Sequence, residues 1–200
     1  MLQVYQLIDQ SVDLIHCKLV GNLSIDSFTK VGIIGENGIG KTSFLKFLKK
    51  EQDRIFRTQC SILDQVRLKP IANLKVSDIY ELVNKELRAI LKQPLNDENS
   101  LVKEFDFQRQ SQKEISDLSG GENQMLKVII ALNFNVEVYI LDEPFSNLSL
   151  KNKEKLKKII NESKKTFLII DHDQKVLSEV CSRRIEFYKA GSVLKIREFV

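Results

Sequence analysis

The sequence predicts an α/β fold, and three observations carry that prediction. First, short apolar runs at Val31-Gly32-Ile33-Ile34, Val136 to Leu141 and Thr166 to Ile170 read as buried strands. Second, stretches with helical spacing lie between them, and strands alternating with helices argue for a parallel sheet. Third, the first run opens directly onto Gly35-Glu36-Asn37-Gly38-Ile39-Gly40-Lys41-Thr42-Ser43, and an apolar-periodic stretch, Phe44-Leu45-Lys46-Phe47-Leu48, follows it. Strand, glycine loop and helix start together present backbone N–H groups and a helix N-terminus to an anion.

Taken in order, residues 1–34 read as strands. Leu2, Val4, Leu7 and Ile8 form a first, Val12 to Val20 a second, and Asn22 to Ile25 lead on to Val31–Ile34. A helix follows from about Thr42 to Glu51, then a short strand, Ser61 to Gln65. Lys69-Pro70 marks a break. From Ser77, a suitable N-cap, Ile79, Leu82, Val83, Leu87, Ile90 and Leu91 recur at helical spacing. Pro94 to Ser100 is a polar break, and a less regular helical piece covers roughly 100–114. Residues 70–117 thus form a largely helical insert, and the helical subdomain as a whole covers about 70–134 of a single domain, 1–200. A helix at 122–134, the strand ending at Asp142, a helix from Leu150 to Ser163, the strand ending at Asp171-His172 and a short helix at 173–180 follow. Arg184 to Phe187 and Val193 to Ile196 read as a hairpin around Ala190-Gly191.

Composition narrows the function classes. With 42% hydrophobic and 29% charged residues over 200 positions, the chain is of globular type. A formal net charge of +4, from 31 basic and 27 acidic residues, is mild. The Lys-rich stretch 151–158 carries Glu154 and reads as a solvated helix face, so no nucleic-acid partner is expected. No run approaches the about eighteen apolar residues of a membrane span, and the N-terminus lacks signal-peptide character. Cys17, Cys60 and Cys181 are odd in number and far apart, which fits reduced thiols in the cytoplasm. Six of the eight glycines fall in two places, at 32–40 and at Gly120-Gly121, so backbone geometry there serves a site.

The chemistry gathers at strand ends, where open α/β sheets bind ligands. Gly35 to Ser43 fits Gly, four residues, Gly-Lys-Thr. Lys41 is placed to reach outer phosphates, and the Thr42 hydroxyl to meet Mg²⁺. Asp142, after an apolar run, is suited to hold Mg²⁺ directly or through water. Glu143 is suited to act on an attacking water as base or orienting acceptor. Gln65 offers a ligand for Mg²⁺ or a water-positioning amide, and His172 a hydrogen bond to a γ-phosphate oxygen. In a second cluster, Leu118-Ser119-Gly120-Gly121-Glu122, Ser119 caps a helix whose start is a second anion-binding element.

These five elements, in this order and across nearly the whole chain, resemble a nucleotide-binding domain of the ABC ATPase superfamily. Gly35–Ser43 matches its Walker A loop, Gln65 its Q-loop glutamine, and Leu118–Glu122 its signature, usually LSGGQ. Val138–Glu143 matches Walker B with the catalytic glutamate, and His172 the switch histidine. The resemblance implies an α/β phosphate-loop NTPase core with an N-terminal antiparallel β-subdomain and a helical subdomain. It implies ATP and Mg²⁺ as ligands, and Glu143, His172 and Gln65 as catalytic residues. Gly35 through Ser43 then hold the nucleotide, and Thr42, Gln65 and Asp142 hold the metal. It implies pairing with a second such domain head to tail, most simply a second copy, so that Leu118, Ser119, Gly120, Gly121 and Glu122 face ATP held by the partner. In transporters the Q-loop and helical subdomain relay the motion to a membrane permease, which places the chain in the cytoplasm on the inner face of the membrane.

The chain departs from the family pattern at four places. The signature ends in Glu122 instead of Gln. The D-loop reads Ser146-Asn147-Leu148-Ser149, with Ser149 where the family has Asp. The adenine-stacking aromatic falls near Ile15 or His16, where no Phe, Tyr or Trp lies. The segment from Lys41 to Gln65 is short. The expected role is the ATPase subunit of a transporter, and the short C-terminal end favours an exporter or a small two-gene system. A soluble ABC ATPase, such as an ABC-F-like translation factor or an iron–sulfur assembly ATPase, is the alternative. A degenerate ATP-binding regulator is a third reading, which Lys41, Asp142, Glu143 and His172 oppose.

Overall fold

The structure, a computed structural model, describes residues 4–56, 60–63, 73–79, 81 and 98–199. By contacts the chain divides into two units, one of Met1–Asp64, Val136–Pro144 and Ile159–Val200, the other of Gln65–Asn135 and Phe145–Lys158.

In the first unit, β1 (Val4–Ile8) pairs antiparallel with β4 (Leu23–Asp26) as a separate two-stranded sheet. An eight-stranded mixed sheet runs in the order β2-β3-β10-β9-β5-β8-β7-β6. Its strands are β2 (Ser11–Asp13), β3 (Lys18–Val20), β5 (Lys30–Gly35), β6 (Cys60–Leu63), β7 (Val138–Asp142), β8 (Thr166–Ile170), β9 (Arg183–Ala190) and β10 (Val193–Phe199). β9, β5, β8, β7 and β6 are mutually parallel, while β9 and β10 form the antiparallel hairpin. Every residue of β7 and β8 is buried, which is why these strands read as continuous apolar runs without alternation. β1 instead alternates, with Tyr5 and Leu7 inward and Val4 exposed.

Helix α1 (Lys41–Phe56) lies across this core. Phe44 meets Phe187 of β9 edge to face at 5.2 Å, and Phe56 meets Tyr5 of β1 at 5.4 Å. The helix that begins at the glycine loop is thereby pinned at both ends. Tyr139 and Phe167, opposite each other in the β7–β8 register, stack at 4.9 Å.

The second unit is helical where it is described. It contains α2 (Glu98–Glu104), 3₁₀ turns at Phe107–Gln110 and Ile115–Asp117, and α3 (Gly120–Asn133), onto which α2 packs. An antiparallel bridge pairs Lys75 with Glu114 within it. Helix α4 (Leu150–Glu162) begins in this unit and ends in the first, to which α5 (Gln174–Val180) belongs.

The α/β class, the antiparallel β-subdomain and the parallel central strands agree with the sequence expectation. Two local expectations are corrected. The strand expected over Val12–Val20 is a hairpin, β2 and β3, folded at Leu14–Cys17, where the Leu14 N–H donates to the Cys17 carbonyl at 2.8 Å. No glycine or proline marks that turn. The helical piece expected over 100–114 stops at Glu104, and Asp106 takes a left-handed φ of 54° that an α-helix cannot continue through. Gln65 and most of the helix expected from Ser77 lie outside the described residues.

Leu168 is fully buried at the centre of β8. Leu168→Ala is expected to lower stability by about 2–5 kcal/mol, checked by denaturant unfolding.

Candidate functional site

Parallel pairing sets one edge of the sheet. Asp142 is in register with Ile170, and Ile170 with Ile33 two residues before Gly35, so three strands end together. The ladder continues past the strands. The Glu143 N–H donates to the Ile170 carbonyl at 2.7 Å, and the Asp171 N–H to the Ile33 carbonyl at 3.3 Å. Gly35 closes β5, Glu36 to Gly40 form the loop, and Lys41, Thr42 and Ser43 open α1. Gly40 has φ +123°, a backbone conformation that favours glycine, and a Cβ there would also lie 2.9 Å from Leu194 Cδ1.

Lys41 is buried, and its ammonium donates to the carbonyls of Gly35 at 2.5 Å and Glu36 at 2.9 Å. Burial holds its pKa below the ordinary lysine value, while the carboxylates of Glu143, Asp142 and Asp171 act in the opposite sense. One buried cation thus faces three carboxylates. Asp142 and Asp171 are buried, at 5% and 1% exposure. Glu143 adopts a left-handed φ of 46°, a conformation that non-glycine residues hold only where the surroundings impose it. Its Oε1 lies 3.9 Å from Nδ1 of His172, and the same ring nitrogen is 3.6 Å from Oδ1 of Asp171. Asp171 Oδ1 also accepts the Asp173 N–H at 3.0 Å, and Asp173 caps α5 through the Val176 N–H.

Beside the loop lies a cavity of about 380 Å³. The β2–β3 turn contributes His16 and Cys17, the loop and α1 contribute Gly38, Gly40 and Ser43, and the β9–β10 hairpin contributes Lys189 and Ser192.

The second glycine cluster lies in the other unit. Ser119 is the N-cap of α3 in a complete capping box. Its hydroxyl accepts the Glu122 N–H at 3.3 Å, and its own N–H donates to Glu122 Oε2 at 2.9 Å. Glu122 Oε1 accepts from Lys113 Nζ at 2.8 Å and from Gln110 Nε2 at 3.1 Å. The Lys113 hydrogen bond, then that of the Ser119 N–H, bring the Glu122 pKa down to about 2. A Cβ on Gly121 would sit 2.6 Å from the Asn147 carbonyl oxygen, so α3 can begin here only with glycine. Leu118 follows a 3₁₀ turn, and around Gly120 the space is open. Ser149 caps α4, its hydroxyl accepting the Asn152 N–H at 3.3 Å.

Residues 21–146 match the family described as ABC transporter. The chain belongs to that family. It carries an ABC ATPase domain, and such domains bind adenine nucleotides. It is 29% identical over 197 residues to the "Spermidine/putrescine import ATP-binding protein PotA" of Fusobacterium nucleatum, an alignment covering 88% of this chain and 51% of that one. It is likewise 29% identical over 163 residues to "Translation initiation factor rli1" of Schizosaccharomyces pombe, covering 78% of this chain and 25% of the other. The chain spans about half the length of the first of these relatives and a quarter of the second. In structure it resembles the solved "RNase-L Inhibitor", with a TM-score of 0.74 and 22% identity over 96% of this chain and 38% of that one, a likeness of fold.

Of the residues expected at the sheet edge, the structure brings together Gly35 to Ser43, Asp142, Glu143 and His172. The sequence reading passed over three features. Asp171 was legible, because it ends a buried apolar run as Asp142 does. The hairpin wall of Lys189 and Ser192 and the clamp of Lys113 and Gln110 on Glu122 carry no local signal. They arise from tertiary contacts. Among the described residues no cluster of three or more His, Cys, Asp or Glu side chains forms a metal cage, and no helix is long and apolar enough to cross a membrane.

Two outcomes are expected. Gly121→Ala is destabilising by about 1–3 kcal/mol through overpacking, whereas Gly120→Ala, whose methyl meets nothing within 4 Å, is not. Thermal unfolding separates them. Because the Glu122 carboxyl is depressed, its stabilisation is full above its unfolded pKa of about 4.3 and is lost as pH falls toward about 2. Glu122→Gln should flatten the acid limb of the stability profile over that range.

Proposed function

We propose that this chain is the ATP-binding and ATP-hydrolysing subunit of an ABC transporter, powering a separate membrane permease by ATP-driven dimerisation. The observation that carries the ATPase reading is the cluster at the sheet edge. A buried loop lysine lies in the field of Asp142, Glu143 and Asp171, with His172 3.9 Å from Glu143. In this reading the N–H groups of the loop and of the first turn of α1 cradle the phosphates. Lys41 exchanges its bonds to the Gly35 and Glu36 carbonyls for the outer phosphates. Glu143 accepts the proton of the attacking water, and His172 donates to the γ-phosphate. The family resemblance adds Gln65 to this set.

The donors present suit Mg²⁺. Thr42 and Asp142 are hard oxygen ligands, and Mg²⁺ is ordinarily held by one or two carboxylates plus substrate phosphates. It would supply charge neutralisation at the phosphates. Ser119 and Gly121 face the γ-phosphate held by a second copy, so that each phosphate loop forms one half of a shared site. The permease reading takes support from the import ATP-binding relative. The translation-factor relative favours the soluble alternative.

The nucleoside end fits the cavity of about 380 Å³ beside Gly38 and Gly40, within the usual range for small-ligand sites. His16 is the one ring system lining it, so base stacking is weak. GTP should bind within about fivefold of ATP, measured by competition with a fluorescent nucleotide.

Glu143→Gln is expected to abolish hydrolysis and to trap an ATP-bound dimer, read by light scattering with and without Mg²⁺-ATP. A variant that binds ATP and stays monomeric rules out the shared site. Lys41→Ala is expected to lose nucleotide binding. Isolating the trapped dimer from cells separates the two roles: a multi-span membrane protein travelling with it supports the transporter, and ribosomes support the soluble alternative.

A further inference from the structure

We infer that Lys113 is a positioning residue of the shared site, a built-in counter-charge that cancels Glu122 so that the phosphates held by a second copy can seat at the start of α3. This rests on the head-to-tail reading above.

A helix N-terminus offers about half a positive charge. Glu122, third residue of α3, puts a full negative charge there. Glu122 also helps line a cavity of about 340 Å³ together with Ser119, Gly121, Asn147 and Ser149. A glutamine would complete the same capping box without charge. With glutamate, the local sum turns negative on the face that must accept phosphate, unless a cation answers it. Lys113 answers it at 2.8 Å. It does not itself line the cavity, whereas Gln110, the second donor to the same oxygen, does. The ammonium therefore acts through the carboxylate, without touching the ligand.

Lys113 is also held in place. Its N–H donates to the Gln110 carbonyl at 2.9 Å, and its carbonyl accepts the Val76 N–H at 3.1 Å. Backbone bonds on both sides fix the residue from which the ammonium extends. The pairing makes the charge at position 113 necessary only because position 122 is glutamate.

The test is a charge cycle in the hydrolysis-deficient Glu143→Gln protein. Dimerisation driven by Mg²⁺-ATP is followed by analytical ultracentrifugation, and nucleotide binding to the monomer by a fluorescent ATP analogue. Lys113→Met should raise the ATP concentration for half-maximal dimerisation about tenfold, since each dimer carries two such contacts. Monomer binding should stay unchanged. Lys113→Arg should dimerise as the parent does. Combined with Glu122→Gln, Lys113→Met should fall within about twofold of Glu122→Gln alone. Parent-like dimerisation of Lys113→Met, or a defect that persists beside Glu122→Gln, overturns the inference. The second result would assign Lys113 a merely structural role. If the Glu143→Gln parent binds ATP yet fails to dimerise, the shared-site reading fails and carries this inference with it.

Discussion

The parallel pairing of β5, β8 and β7 is the constraint on which the sheet-edge chemistry depends. Asp142, Ile170 and Ile33 share one row of the sheet. The backbone bonds from Glu143 and Asp171 extend that ladder one residue further. Residues 28 to 137 positions apart in the chain are therefore delivered to one place by strand register. A slip of one residue in β7 would turn Asp142 to the opposite face. The continuous ladders that β7 makes with β6 and β8, and β8 with β7 and β5, hold this register from both sides. The pairing of β7 and β8 with their neighbours on both sides is thus what fixes where Asp142 and Asp171 stand.

The charge balance at that edge follows from burial. Lys41 in water would keep its proton easily. In the interior its charged form is disfavoured, and the carboxylates of Glu143, Asp142 and Asp171 work against that penalty. Equally, two carboxylates as buried as Asp142 and Asp171 are tolerable only near compensating charge or hydrogen bonds. The left-handed backbone at Glu143 belongs to the same arrangement: it turns the chain sharply after β7 and leaves the carboxylate partly exposed, where water can reach it.

Most of the fold was legible in the residues, because buried parallel strands and a glycine loop leave signals within a few positions. Val31–Ile34, Val138–Asp142 and Thr166–Ile170 needed no tertiary knowledge. The misses have physical reasons. The turn at Leu14–Cys17 uses no glycine or proline, so β2 and β3 read as one strand. Asp106 breaks a helical pattern by a backbone choice that its neighbours do not announce. At the sheet edge the motif residues stand out, and Asp171 carries the same signal as Asp142, a carboxylate directly after a buried apolar run. Lys189, Ser192, Gln110 and Lys113 owe their places to contacts made across the fold, and nothing in their local sequence distinguishes them from solvated polar residues.

The departures from the family pattern in the helical unit are connected by a single cavity. Ser149 lacks the carboxylate that the family places in the D-loop, and Glu122 carries one that the signature ordinarily lacks. Both residues line the same space of about 340 Å³. The number of carboxylates contributed by these two positions is thus conserved while their location changes. The role of each residue as a helix cap survives the exchange: Ser149 caps α4, and Glu122 completes the box at α3. What changes is which segment carries the charge. A carboxylate at 122 is clamped by Lys113 and Gln110 from the chain preceding α3. Gly121, pressed against the Asn147 carbonyl, keeps the two segments in register with each other. In this chain the negative charge of these two positions therefore lies at a helix start where Lys113 and Gln110 meet it, and Ser149 caps α4 without one.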